Sequence, residues 1–176
     1  MEQVKTHMKY GLFTGIAIIF IGLILHITNL SFQPWAQWVM YIPFLIGLIL
    51  NAQAFAKANE NRVTYGNVFS SCFKASAIIT IIVLAWSLLS LVIFPELREK
   101  GMEIAQQRMA EKGMSEEQIE QGLEMSKKYF IPFMIGGVIF GYMIIGAIFS
   151  AVAAAFPKKL GNQQTPFDSS QQQFQQ

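Results

Sequence analysis

The side chains able to do chemistry are few in this chain, and their spacing does not suggest a catalytic or metal site. His7 and His26 lie nineteen residues apart and are not expected to share a metal ion. Cys72 is the only cysteine, so it has no partner for an intrachain disulfide. Glu116 and Glu120 share a helical spacing, but a calcium loop also needs converging Asp, Asn and Gly positions. Because phosphate-binding loops, nucleophile elbows and zinc spacings are also missing, we expect no enzyme and no cofactor.

Lys74 is the most informative ionisable residue, because it falls inside an apolar run. A helix starting near Tyr65 would place it about 14 Å from the helix end, at 1.5 Å per residue. Its stem can extend back toward the cytoplasmic headgroups. Alternatively, Lys74 supplies the charge of a polar vestibule open to the cytoplasm. The polar residues predicted at this depth are Thr14, Asn51, Gln53, Ser70, Ser71, Lys74 and Ser150. Interhelical hydrogen bonding is a third interpretation of the same layer.

The elements that must position this layer are apolar helices. Hydrophobic residues make up 53% of the chain and charged residues 14%, against about 25% charged in a soluble domain. Four stretches, at about 10–28, 35–55, 70–94 and 129–156, satisfy the requirement of roughly 20 apolar residues per span. We therefore predict an all-α polytopic membrane protein with four transmembrane helices in residues 1–160. The glutamine-rich segment 161–176 is predicted to be a disordered tail.

The distribution of basic residues predicts the orientation of the spans. Lys5 and Lys9 precede the first span, while the link that follows it, 29–34, carries no charge. Since basic residues favour the cytoplasmic side, we expect both termini in the cytoplasm. The link between the third and fourth spans holds six basic residues, but its eight glutamates give it a net negative charge. The net charge of +2 for the whole chain does not indicate nucleic-acid binding.

Residues 96–128 are predicted to form an extramembrane helical hairpin. Gly113 interrupts the helical pattern as a C-terminal capping glycine does. Ser115 and Gln118 have the spacing of a capping box, in which each side chain bonds the backbone amide of the other. The hairpin is either a docking surface for a protein partner or a solvated connection between two spans.

Small residues predict close helix packing in the first and fourth spans. Gly11 and Gly15 form one GxxxG pair, and Gly137 and Gly141 form another. Such pairs let two helix backbones approach closely, within one chain or between copies in a homo-oligomer.

Taken together, these features resemble the Domain of Unknown Function 4199 family of bacterial four-span proteins. The resemblance covers about residues 5–160 and includes Tyr65-Gly66 at the third span and the run from Ser115 to Ile119. It implies an inner-membrane location and no reaction. We therefore expect an accessory or structural membrane protein that binds a membrane or envelope partner. A small oligomeric transporter or channel, using the layer around Lys74, is the alternative.

Overall fold

The computed structural model describes residues 5–157, apart from the side chain of Gln37, and contains six helices and no strand within that range. The helices are α1 (Thr6–Ile27), α2 (Ala36–Ala58), α3 (Tyr65–Ile93), α4 (Glu96–Glu111), α5 (Glu116–Lys128) and α6 (Phe130–Ala153). Four of them, α1, α2, α3 and α6, are long and apolar enough to cross a membrane. The predicted all-α fold with four spanning helices is confirmed. The tail 161–176 and the basic pair Lys158 and Lys159 lie outside the described residues.

Two of the spanning helices begin earlier than the apolar runs that predicted them. α1 begins at Thr6 rather than near residue 10, and α3 begins at Tyr65, as the placement of Lys74 assumed, ahead of the apolar span from residue 70. The predicted first span began after the last lysine, but Lys9, like Lys74 in α3, lies on an exposed helix face. A lysine whose stem lies along an apolar surface does not interrupt a helix. α2 likewise continues through Pro43.

Large apolar side chains cover the outer faces of the spanning helices. On α1, Phe20, Ile24 and Ile27 are all at least 60% exposed. Contiguous apolar surface of this kind is rare on soluble monomers and is covered by lipid or by protein. Together with the length of the helices, it indicates a bilayer environment.

The chain divides into two compact units. Within the described residues, unit 1 comprises 5–79 and 145–157, and unit 2 comprises Thr80–Ile144. In unit 1, α1 packs against α2, and Phe44, Leu48 and Ile79 are completely buried. The ring of Phe44 lies edge-on to that of Phe149, with 5.6 Å between the centroids.

Unit 2 contains the two polar helices, which pack on each other. Between them, Gly113 has a φ of +73°, a left-handed conformation that glycine adopts readily. Ser115 then caps α5. Its hydroxyl accepts a bond from the Gln118 amide at 3.3 Å, and the Gln118 side chain accepts from the Ser115 amide at 3.0 Å. The predicted capping box is confirmed.

An arginine joins the start of α4 to the end of α5. Arg98 Nη2 donates a hydrogen bond to the carbonyl oxygen of Lys127 at 3.2 Å. Its guanidinium also lies 5.4 Å from the centroid of the Phe130 ring, a cation–π distance. Neither α4 nor α5 contains a buried residue, so the two helices present most of their polar surface to the outside.

Candidate functional sites

The predicted polar layer separates into a buried set and an exposed set. Thr14, Asn51, Ser71 and Ser150 are buried, and Asn51 and Ser150 have no exposed surface at all. The remaining members, Gln53, Ser70 and Lys74, are exposed. Ser70 and Lys74 are four residues apart on α3 and therefore share a face, whereas Ser71 projects from another face. Residues predicted to lie at a similar depth in the membrane therefore lie in two different environments.

The buried set links α2 to α3 through side-chain hydrogen bonds. Asn51 Nδ2 donates to Ser71 Oγ at 3.2 Å and to Cys72 Sγ at 3.6 Å. Cys72 Sγ in turn donates to the carbonyl oxygen of Leu48, 3.5 Å away. Each bond is expected to contribute weakly, on the order of the ~0.6 kcal/mol average for interhelical hydrogen bonds in membranes.

Among the buried oxygens of unit 1 without a hydrogen-bond partner in the described residues, two belong to the predicted polar layer. They are Asn51 Oδ1 and Ser150 Oγ. A buried acceptor or donor without a partner costs about 1–3 kcal/mol. Both oxygens are neutral, and no group of three or more His, Cys, Asp or Glu residues within the described residues could hold a metal ion. The chemistry that each oxygen can offer is therefore hydrogen bonding.

Three buried polar residues of α3 were missed by the sequence analysis. Cys72, Ser76 and Thr80 recur every four residues and are at most 4% exposed. That spacing puts all three on one face of the helix. The four-residue spacing is present in the sequence, but Ser76 and Thr80 lie beyond the depth of the predicted layer.

Glycines bring the helices of unit 1 into close contact. A Cβ added at Gly47 would overlap Thr14, lying 2.7 Å from its Cγ2 and 2.8 Å from its Cβ. One added at Gly146 would overlap the hydroxyl of Ser76. The contacts join α1 to α2 and α3 to α6, so a side chain larger than hydrogen has no room at either position.

The two predicted GxxxG pairs lie in different surroundings. A Cβ at Gly11 would lie 3.0 Å from Ile78 Cβ and 3.1 Å from the carbonyl oxygen of Ala75, and Gly15 is buried. A Cβ at Gly137 or Gly141 would meet no described atom within 4 Å. Packing of this second pair against another copy stays a prediction.

Unit 2 contains an acidic groove, which we define by its seven lining residues. They are Gln106, Glu116, Ile119, Glu120, Leu123, Glu124 and Lys127. The groove encloses about 560 Å³ and runs along one face of α5, with Gln106 contributed by α4. Lys127 is the one basic side chain among the lining residues.

The three carboxylates of the acidic groove lie on successive turns of α5. Glu116, Glu120 and Glu124 recur every four residues, and all three are exposed. None of them forms an ion pair with another residue in the described part of the chain. Like charges at this spacing destabilise a helix by about 0.2–0.5 kcal/mol per pair. A cation lying along the groove would relieve that repulsion.

The four apolar helices define the class of the protein as an α-helical multi-pass membrane protein. Residues 9–159 match the family described as "Protein of unknown function (DUF4199)". The match covers most of the chain, which therefore belongs to this family. No curated protein and no solved structure gives a significant match to the chain.

Proposed function

We propose that this protein is a non-catalytic accessory protein of the bacterial inner membrane, and that the acidic groove binds a cationic amphipathic helix of a partner protein. The observation that carries this proposal is the row of carboxylates Glu116, Glu120 and Glu124 beside Ile119 and Leu123. A helix with basic residues every four positions and adjacent leucines would match both the charges and the apolar strip.

Electrostatics favour a partner of this kind over a neutral one. The groove carboxylates are exposed, so each pair with a partner lysine contributes modestly, about 0.2–1 kcal/mol. Three such pairs mainly raise the association rate and fix the register of the partner helix. Because the charges are exposed, binding should weaken as ionic strength rises.

A charge-matched comparison tests the groove directly. The groove variant combines Glu116→Gln, Glu120→Gln and Glu124→Gln. The control variant combines Glu99→Gln, Glu103→Gln and Glu111→Gln. The control removes the same charge from exposed α4 positions outside the groove. Each full chain is reconstituted in nanodiscs, and binding of a fluorescent Lys-Leu helical peptide is followed by anisotropy.

The groove variant should bind the peptide about tenfold more weakly than the wild type, and the control within about twofold. Affinity purification in mild detergent should then recover a stoichiometric partner with the wild type and the control, but not with the groove variant. Equal loss in both variants, or a partner retained by the groove variant, would contradict the proposal.

The side of the membrane on which the partner lies follows from the proposed orientation. With both termini cytoplasmic, the groove faces the periplasm. The native Cys72 is buried, so a single added cysteine, Glu120→Cys, gives a specific signal. An impermeant maleimide should label it in intact spheroplasts; labelling only in inverted vesicles would reverse the orientation.

A small transporter or channel is the second candidate, and the buried oxygens Asn51 Oδ1 and Ser150 Oγ support it. In this case Lys74 lines a vestibule open to the cytoplasm. An impermeant amine reagent added to inverted vesicles should label Lys74 as fast as the exposed Lys57. Failure to label Lys74 under conditions that modify Lys57 would count against the vestibule.

A further inference from the structure

A second cavity lies in unit 1 and, unlike the acidic groove, is lined by basic side chains. It encloses about 370 Å³ between the first two turns of α1 and the last turn of α2. Three lysines line it: Lys5 and Lys9 one turn apart at the start of α1, and Lys57 near the end of α2. We call this feature the basic cavity. On the side of α2, only Ala54, Lys57 and Ala58 line the cavity. The small alanine side chains leave room for a ligand there.

The charge of the basic cavity is not neutralised by the described residues around it. No carboxylate of the described residues lines it, and none of the three lysines forms an ion pair with another residue in that part of the chain. Glu60, in the link that follows α2, lies 3.8 Å from Arg62 instead. The N-terminus of α1 adds the positive end of a helix dipole. The C-terminus of α2 contributes the opposite sign, which Lys57 in its last turn offsets.

One of the lining residues carries a buried hydroxyl. Thr6 lines the cavity and is only 7% exposed, yet its hydroxyl has no partner among the described residues. Tyr10, one turn further along α1, also lines it and brings a phenolic hydroxyl. A tetrahedral anion with several acceptor oxygens would satisfy both the donor and the three ammonium groups.

The position of the cavity along the helices indicates where this anion comes from. The cavity lies where two spanning helices end, and the next exposed side chains along α1 are the apolar Leu12 and Phe13. A lipid whose tails pack on this apolar face would hold its phosphate at the level of the lysines. Basic pockets between spanning helices on the cytoplasmic side suit anionic headgroups, because the net negative charge of the lipid adds to the attraction.

We propose that the basic cavity is a binding site for the phosphate of an anionic phospholipid. Lys5, Lys9 and Lys57 attract the headgroup, and Thr6 donates a hydrogen bond to a phosphate oxygen. The site fixes the inner ends of α1 and α2 relative to the lipid surface. It is independent of the acidic groove, which lies in the other unit.

Binding is measured on the purified full chain in a neutral detergent, by the shift of its thermal unfolding midpoint. The chain is titrated separately with a short-chain phosphatidylglycerol, with phosphatidylcholine of the same chain length, and with inorganic phosphate. Phosphatidylglycerol should raise the midpoint at concentrations where the other two have no effect. Equal protection by phosphatidylcholine, or by inorganic phosphate, would overturn the assignment to an anionic lipid.

Matched variants test whether the cavity itself holds the lipid. The cavity variant combines Lys5→Gln, Lys9→Gln and Lys57→Gln. It should bind phosphatidylglycerol at least about tenfold more weakly than the wild type. The same three positions changed to Arg keep the charge and should retain binding. Removal of three basic residues from unit 2 by Arg108→Gln, Lys112→Gln and Lys128→Gln should change the affinity less than twofold.

Thr6→Val removes the hydroxyl and keeps the shape and all charges, so it tests the donor alone. We expect about three- to fivefold weaker binding. If the unit 2 control loses as much affinity as the cavity variant, or if Thr6→Val and the cavity variant both bind as the wild type does, the site is refuted.

Discussion

Glycines and small polar residues are present in both units of this protein, but they have different surroundings. In unit 1, Gly47 lies against Thr14 and Gly146 against Ser76, so that small residues of neighbouring helices interlock. In unit 2, a Cβ added at Gly137 or Gly141 would meet no described atom within 4 Å. Without a hydrophobic driving force between helices in lipid, contacts of the first kind hold a bundle together. Gly47 and Gly146 therefore pack helices in unit 1, whereas Gly137 and Gly141 leave an open surface in unit 2.

Polar groups differ in the same way. Unit 1 buries a set of its polar side chains between helices, among them Asn51, Ser71 and Cys72. The polar helices of unit 2 bury none of their residues and carry their charges on exposed faces. A buried polar group is sensitive to any change of charge, whereas an exposed one is solvated. The predictions below test this contrast, beginning with the largest effect.

Adding a charge to the buried cluster should be the most damaging change. Asn51→Asp places a carboxylate at a position with no exposed surface, which we expect to lower the free energy of unfolding by about 2.5–3.5 kcal/mol. The measurement is SDS-induced unfolding in bicelles. Gln53→Glu is the control, because Gln53 is exposed on the same helix. Equal losses in the two variants would remove the distinction between buried and exposed members of the layer.

Adding a single methyl group should change the stability of the protein by different amounts at glycines of the two units. Gly47→Ala forces Thr14 to move and should destabilise the chain by about 1–3 kcal/mol. Gly137→Ala adds a methyl in open space and should change stability by less than about 0.5 kcal/mol. Both are measured by the same SDS titration. Thr14→Gly removes the side chain that a methyl group at Gly47 would overlap, so it should restore part of the stability lost in Gly47→Ala. If stability is not restored, the contact with Thr14 is not the cause of the loss.

Loss of the helix cap in unit 2 should act locally. Ser115→Ala removes the hydroxyl that accepts from the Gln118 amide and should destabilise the start of α5 by about 1 kcal/mol. Hydrogen exchange at that amide should accelerate roughly fivefold, while amides of unit 1 remain protected. Ser126→Ala, within the same helix, is the control and should not accelerate it. Faster exchange throughout the chain would mean that the two units unfold together.

The smallest effect concerns two tyrosines. Tyr65 donates a hydrogen bond to the carbonyl oxygen of Ala151 at 2.8 Å in unit 1, so Tyr65→Phe should cost about 0.5–1 kcal/mol. Tyr129 in unit 2 packs on Phe133, with 5.9 Å between ring centroids, and Tyr129→Phe keeps that contact. Thermal unfolding in detergent should distinguish the two substitutions; identical midpoints would show that the Tyr65 bond adds nothing.

The sequence by itself was sufficient for the number and type of the helices and for the cap of α5. Long uncharged runs must be helical in lipid, because every backbone polar group has to be bonded within its own segment. The spacing of Ser115 and Gln118 is likewise a local property, since a capping box needs only four consecutive residues. The ends of the helices were harder to predict from the sequence, because a lysine such as Lys9 limits an uncharged run without ending a helix.

Only the tertiary structure decided which polar residues lie together. Ser70 and Ser71 are adjacent in sequence and similar in depth, yet one is exposed and the other bonds Asn51. The spanning helices are apolar on all sides, so their composition does not show which face meets a neighbour. The same holds for Gly11 and Gly137, whose motifs are alike and whose surroundings differ. Which face of a helix is covered depends on the helices packed beside it, and that information is spread over the whole chain.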